Sequence, residues 1–520
     1  MQLSHVLRAS LMVAAFATLA SCADEKIVYK DVGRFDPVPT NAGGFLGFAR
    51  TGDQQQTVCG TCHQGRQQDW LGTKHSTAWA DLQASGHAAA SCEGCHTVGP
   101  NGNGSATNVG WNATKDARYQ NVQCESCHGP GAAHVANPTS ANVPLVTADQ
   151  VTDPKATDGC GSCHQGDHHP FLEEWEQSPH GEMEFTYEDA AEAKSIIEND
   201  ATTGAEKECS GCHTGERALR RDMSSKFIGF RAGVTRGYKE ATRLPTVDKA
   251  MKITCLVCHD PHKNGNPAQL RFPVTSTDTL GNLCVRCHNR RPGGATSPSS
   301  WRGPHSAEGA LFFGENAGYR FPTMPALPQR IAATHQDTKA NPKQCVTCHM
   351  ASYALTDAAG KSLGNTTGHL FNGFPCKDAT GRLVGGSCSI DQRSLKGCVG
   401  SGCHSSETSA RSVFLNTEGR VEFLMEELKE LLENTAKVSC SEFVYSGKPV
   451  TVARGARYNY LLAAGHGAQA TDECSALSKG EMIRSLPAPV PAEGAVAHNP
   501  AYLEQLLRSS IAAVKATYYK

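Results

Sequence analysis

Cysteine, cysteine and histidine recur along this chain in one fixed spacing, which limits what its interior can be made of. C-x-x-C-H stands at Cys59-Cys62-His63, Cys92-Cys95-His96, Cys124-Cys127-His128 and Cys160-Cys163-His164. It recurs at Cys209-Cys212-His213, Cys255-Cys258-His259, Cys284-Cys287-His288 and Cys345-Cys348-His349. Two thiols one turn of backbone apart can form thioethers with both vinyl groups of one porphyrin, and the adjacent histidine is then directed at its iron. Zinc ribbons need paired C-x-x-C units but no histidine after each, and a redox dithiol rarely comes in eight copies. The motif is the attachment signature of c-type haem.

A variant follows at residues 398–405, "CVGSGCHS", where Cys398 and Cys403 lie five positions apart and His404 comes next. The Gly400-Ser401-Gly402 insert suits a looped-out spacer that still lets both sulfurs reach one porphyrin. That makes nine haem c sites, with a third disulfide as the alternative use of Cys398 and Cys403. Of the 23 cysteines, four more remain besides Cys22: Cys376, Cys388, Cys440 and Cys474. In an oxidising compartment they make two disulfides, for which the local pairing Cys376–Cys388 with Cys440–Cys474 is expected.

The N-terminus implies export. Arg8 precedes an apolar stretch from Ala9 to Ala20, which reads as a signal peptide and is too short to span a membrane. "LASC", Leu19 to Cys22, resembles a bacterial lipoprotein box that would lipidate Cys22; ordinary cleavage after Ala23 is the alternative. Attachment at Cys22 would place an outer-membrane lipoprotein facing the periplasm or the cell exterior. A formal net charge of −2 offers no basic field for nucleic acid.

The second side of each iron needs a ligand, and the chain holds 22 histidines. Nine are proximal: His63, His96, His128, His164, His213, His259, His288, His349 and His404. His75 in "WLGTKHSTAW" and His180 in "EEWEQSPHGE" share a Trp, short spacer, His arrangement after a motif. His134 and His262 follow a proximal histidine too closely to fold back on the same iron, so each suits a neighbouring one. His498 precedes a helix start, with Asn499 as N-cap and Pro500 at the first helical position. His168 and His169 are adjacent and read as spares.

"KHSTAWADL", "CEGCHTVG", "CESCHGPGAAH" and "CGSCH…WEQSPH" resemble the small tetrahaem electron carrier of nitrification and its multihaem relatives in the hydroxylamine-oxidoreductase-like group. The likeness covers roughly residues 57 to 180, and "CLVCHDPH", "GPHSAEGALFFG", "GHLF" and "HNPAYLEQLL" resemble segments of larger multihaem cytochromes. It implies His75, His134, His180, His262, His305, His335, His369 and His498 as distal ligands, and haems stacked in close pairs. It says little about His87 and His466, which compete for the last iron; His87 is kept among the candidate ligands.

Motif starts fall 29 to 61 residues apart, an array rather than a strict repeat. The expected fold is mainly α with extensive loops and very little sheet, the haems acting as core. The expected divisions are a signal peptide with lipobox (1–22), an N-terminal linker (23–56), four-haem modules at 57–180 and 181–375, and a C-terminal module (376–520) with the ninth site. In the last, residues 418–437 put Val421, Leu424, Leu428, Leu431 and Leu432 on one helix face, and the final twenty residues form another amphipathic helix. Both are expected to pack over the final haems.

Three functions fit this reading. The first is an electron conduit passing single electrons along bis-histidine haems in anaerobic or extracellular respiration. Its partners would be other cytochromes, a quinol-linked complex or an extracellular acceptor. The second is a multihaem oxidoreductase acting on nitrite, hydroxylamine or a sulfur compound, which needs an open distal position. The third is a filament-forming cytochrome.

Overall fold

The structure is a computed structural model. It describes residues 35–182, 210–219, 251–289, 304–465 and 486–520, apart from short stretches at 140, 145, 147–149, 151–152, 156–157, 216–217, 263–264, 277–280, 315, 326–334, 401–403, 435 and 444–449. The signal segment with Cys22, and Cys209, Cys403, Cys474 and His466, lie outside the described residues.

Short helices and long connections dominate. Most of the described motifs open on a helical turn, as at Ala90–His96, Cys124–His128, Cys255–Cys258 and Cys345–His349. Further helices follow some of them: α1 (Gln64–Leu71), α2 (Phe171–Glu176) and α3 (Glu308–Phe313). Sheet among the described residues is confined to two antiparallel pairs. β1 (Ala354–Thr356) pairs with β2 (Ser362–Asn365), and β3 (Cys376–Lys377) with β4 (Leu383–Val384). Cys376 is disulfide-bonded to Cys388, with Cα atoms 6.0 Å apart, which matches the local pairing expected from sequence.

Residues 35–56 correct the expectation of a linker. Phe45 and Phe48 are buried, and Ala42 and Phe45 share a cluster with Val98, Val109, Trp111 and Tyr119. The Tyr119 hydroxyl donates to the Phe45 carbonyl at 3.0 Å. Gly47 sits at φ +66°, and a Cβ there would lie 2.5 Å from the Arg118 carbonyl oxygen. Only glycine lets this strand of chain pass so close. The stretch carries no motif, so only its apolar residues could have signalled that it packs.

The C-terminal region departs from a haem-filled interior. Helices α4 (Glu407–Glu433), α5 (Val452–Ala464), α6 (Glu493–His498) and α7 (Pro500–Tyr518) follow the last motif. α4 begins earlier than residue 418 because the Ser406 side chain caps it, accepting from the Ser409 N–H at 3.0 Å. Its stripe of Phe414, Val421, Leu424, Met425, Leu428 and Leu432 packs with Tyr460, Leu461, Leu503, Leu506 and Val514 in the main apolar core. Beyond residue 404 no further motif brings in a cofactor, so side chains supply the interior. Each fully buried Leu or Val there contributes about 1.5–3 kcal/mol. Lys515 pairs with Glu427 at 2.6 Å across α4 and α7.

Candidate haem-binding sites

The backbone of each motif does simple work. The N–H of His63, His164, His259 and His288 donates to the carbonyl of the first cysteine of its own motif, at 2.9 to 3.0 Å. That single turn brings two thiols and an imidazole to one local face. Thiols of separate motifs then meet. Cys59 and Cys124 lie close enough to perturb each other's acidity, as do Cys95 and Cys163, Cys160 and Cys255, and Cys284 and Cys345; Cys95 Sγ also lies 3.9 Å from the Ser162 carbonyl.

Eight proximal rings each face a second histidine at nearly constant separation. Ring centroids lie 6.1 Å apart for His164 and His75, 6.4 Å for His96 and His169 and 6.2 Å for His128 and His262. They lie 6.1 Å apart for His288 and His180, 5.9 Å for His213 and His305 and 6.4 Å for His259 and His369. The last two pairs are His404 with His335 at 6.3 Å and His349 with His498 at 6.0 Å.

These separations test whether a haem iron fits. A first-row metal binds an imidazole nitrogen at about 2.0–2.1 Å, so two rings facing each other across one ion have centroids roughly 6 Å apart. Rings in direct stacking contact would sit closer, and surface histidines would not repeat one distance. The residues therefore fit the group. A bare metal site fits worse: among the described residues no three of His, Cys, Asp or Glu converge to hold one.

Hydrogen bonds fix the ring tautomers. The Nδ1 of His96 lies 2.8 Å from the Ala78 carbonyl, that of His128 3.0 Å from Pro144, that of His259 2.8 Å from Ala268 and that of His349 3.0 Å from Phe371. A carbonyl can only accept, so Nδ1 carries the proton and Nε2 presents its lone pair. His369 reaches the same state through a relay. Its Nδ1 is 3.1 Å from the Thr367 hydroxyl, which donates to Glu174 at 2.6 Å. Burial acts in the same direction, pushing His164, His180 and His369 down to about 4 and His498 to about 3. Neutral rings are the ones that can donate to a metal.

The Trp–His arrangement has a structural cause. The Trp70 indole donates to the Val122 carbonyl at 2.8 Å, two residues before Cys124. The Trp175 indole donates to the Ile253 carbonyl at 2.9 Å, two residues before Cys255. Each tryptophan thus anchors a later motif, and the histidine five positions on is carried to His164 or His288. His262 faces His128 of another motif, as its short tether to His259 demands.

Other expected residues fall elsewhere. His87, expected among the distal ligands, is exposed in the turn after the helix Ala78–Ala84, and the ring across from His96 is His169. His169 was legible only as half of an adjacent pair; its N–H bonds back to the Gly166 carbonyl at 2.9 Å, closing a turn over residues 166–169. His134 holds Asn142 Oδ1 at 3.4 Å from its Nδ1. Among the described residues neither His134 nor His63 has a histidine ring facing it.

Comparison with known proteins agrees with this chemistry. A family described as "Cytochrome c554 and c-prime" matches residues 58–129 and 159–234. Those segments begin just before Cys59 and Cys160, the motifs that precede Trp70 and Trp175. A "Doubled CXXCH motif" family matches residues 248–293. The "Multiheme cytochrome MtrA" of Shewanella baltica (strain OS185) is 24% identical over 184 residues, 35% of this chain. The match spans 45% of that protein's length. The crystal structure of "Outer Cell Wall Cytochrome OcwA" superposes with a TM-score of 0.44 at 18% identity, covering 81% of this chain and 75% of that one. The motif array, its family matches and the facing histidines together make this chain a multihaem c-type cytochrome.

Proposed function

We propose that the chain binds nine haem c groups, mostly between two histidines, and conducts single electrons from one to the next. The observation that carries this reading is that the histidine facing each paired proximal ring comes from the segment of another motif, as with His75 and His164, His262 and His128, His180 and His288, and His369 and His259, so no site stands alone. Taking the motifs in sequence order, the first meets the third at Cys59 and Cys124. The third acts on the fourth through Cys127 and Cys160. The fourth meets the sixth at Cys160 and Cys255, and the sixth acts on the seventh through Cys258 and Cys284. The seventh meets the eighth at Cys284 and Cys345. The eighth connects to the ninth, since His335 lies 2.6 Å from the Ala497 carbonyl beside His498. The second motif branches from the fourth at Cys95 and Cys163, and the fifth from the seventh at Cys212 and His288.

Bound haem supplies a one-electron iron couple. The protein's part is to hold both axial rings in place, so that no ligand is gained or lost when the charge changes. The proposed setting is outside the cytoplasm, with other redox proteins or an extracellular acceptor as partners and a lipid anchor at Cys22. Among the described residues no helix is long and apolar enough to cross a membrane.

An oxidoreductase reading has one specific place to begin, His63, because among the described residues no histidine ring faces it. EPR of the oxidised holoprotein, with optical spectra of the reduced form with and without carbon monoxide, separates the two. Low-spin signals alone and no carbon monoxide shift support the conduit. A high-spin signal with carbon monoxide binding would overturn it in favour of an open iron, to be assayed with nitrite and hydroxylamine.

A further inference from the structure

Where a carbonyl faces Nδ1, as at His96, His128, His259 and His349, the ring's partner is a neutral acceptor. At the seventh motif it is an acid. Glu308 Oε2 lies 3.7 Å from His288 Nδ1, ion-pair range rather than a formed hydrogen bond. We propose that Glu308 is a positioning residue that lowers the reduction potential of the haem held by His288 below those whose proximal histidines lean on carbonyls.

The placement is built, not incidental. Glu308 opens α3, and the start of that helix is clamped to the motif itself. The Gly309 N–H donates to the His288 carbonyl at 2.9 Å, and the Ala310 N–H donates to Asn289 Oδ1 at 3.1 Å. A Cβ on residue 309 would lie 2.5 Å from Val285 Cγ1, so glycine is what allows this approach. Val285 also packs with Phe312 and Phe313 from the far end of α3. The backbone that carries the acid is therefore held beside the motif.

Charge decides the direction. A carboxylate beside the free nitrogen of a ligating histidine makes that ligand more basic. It also adds negative charge next to iron, which favours the ferric over the ferrous state. Of the other acids near axial rings, Asp260 at 3.7 Å from His262 Nδ1 is shared with Arg271 at 3.7 Å, whose charge offsets it, and Glu174 reaches the His369 ring only through the Thr367 hydroxyl. His305, which follows the seventh motif, faces His213 of the fifth, so a low potential at the seventh site would hold electrons back from that branch.

The inference rests on His288 holding the seventh haem. The test is an optical redox titration with EPR of the full holoprotein, comparing wild type, Glu308→Gln, Glu308→Asp and the exposed control Glu426→Gln. In Glu308→Gln one single-haem component should move upward, becoming at least tenfold more reduced at a fixed poise, about 59 mV for a one-electron couple. Glu308→Asp should return part of the way, and Glu426→Gln should superimpose on wild type. Mass analysis of the peptide carrying Cys284 and Cys287 separates the failures. Haem on that peptide with an unmoved titration in Glu308→Gln overturns the role of Glu308 alone, as does an equal shift in the control. A haem-free peptide overturns both readings.

Discussion

The imidazole of His335 faces that of His404 at 6.3 Å between centroids, and its Nδ1 is 2.6 Å from the Ala497 carbonyl. A histidine that stands before the eighth motif, ten residues ahead of Cys345, has thus been brought opposite the one that follows the stretched C-x-x-x-x-C. A disulfide between Cys398 and Cys403 would give His335 no reason to be there. The mature protein should carry nine haem increments by intact mass. His335→Ala should convert one more haem to high spin by EPR and leave the other seven histidine-paired haems low-spin. Eight increments would return Cys398 and Cys403 to the disulfide pool.

His169 and His87 give the sharpest contrast between sequence and structure. His169 faces His96 at 6.4 Å, whereas His87 is exposed. His169→Ala should therefore produce a high-spin EPR signal and carbon monoxide binding at one haem, and His87→Ala should leave both spectra unchanged. The reverse pattern would assign the second site to His87 and undo the pairing.

Why one ligand was legible and the other was not follows from where each is fixed. Proximal residues are set by local chemistry, two thiols and a ring on one turn, and the spacing writes this directly into the chain. His75 and His180 were readable because tryptophan and histidine travel together on one short segment, and the indole of that segment anchors a later motif. His169 is set by tertiary packing alone; nothing near it in sequence says which ring it meets. The expected linker, 23–56, carries no motif, although within it Phe45 and Phe48 are core residues. The helices after residue 404 showed their apolar stripes plainly. What the stripes could not say is that they pack on one another in an apolar core of their own.

Arg393 ties the helix carrying His498 to the rest of the chain. It pairs with Glu493 at 2.9 Å and donates to the Phe374 carbonyl at 2.9 Å. Its side chain is only 9% exposed, so removing it leaves a partly buried carboxylate without its partner. Arg393→Ala should cost about 1–3 kcal/mol. It should also make the His349–His498 site heterogeneous by EPR. Burial already raises the Glu493 carboxyl and Arg393 only partly restores it. An acid raised in the folded state binds its proton more tightly there, so its contribution weakens as pH rises above the ordinary carboxylate range. The variant should lose more stability between pH 4 and pH 7 than wild type, read from denaturation midpoints. Equal pH slopes would mean the pair is dispensable.

Glu125, between the two cysteines of the third motif, is the pin for the N-terminal segment. Its Oε2 accepts from the N–H groups of Leu46 and Gly47 at 2.8 Å each, and its Oε1 from Gly131 at 2.8 Å. A glutamine offers one oxygen and one NH2, so in either orientation at least one of these N–H groups meets a donor. Glu125→Gln should cost about 1–3 kcal/mol for each group left unpaired, and should expose residues 35–56 to limited proteolysis before the rest of the chain. Burial pushes this acid up to about 7, since three N–H donors offset only part of the cost of desolvation. Wild-type stability should then fall as pH rises from the ordinary carboxylate value toward 7 and level off above it. The variant, having no proton to lose, should lack that slope. An unchanged midpoint and an unchanged slope in Glu125→Gln would show that Phe45 and Phe48 hold the segment by burial alone.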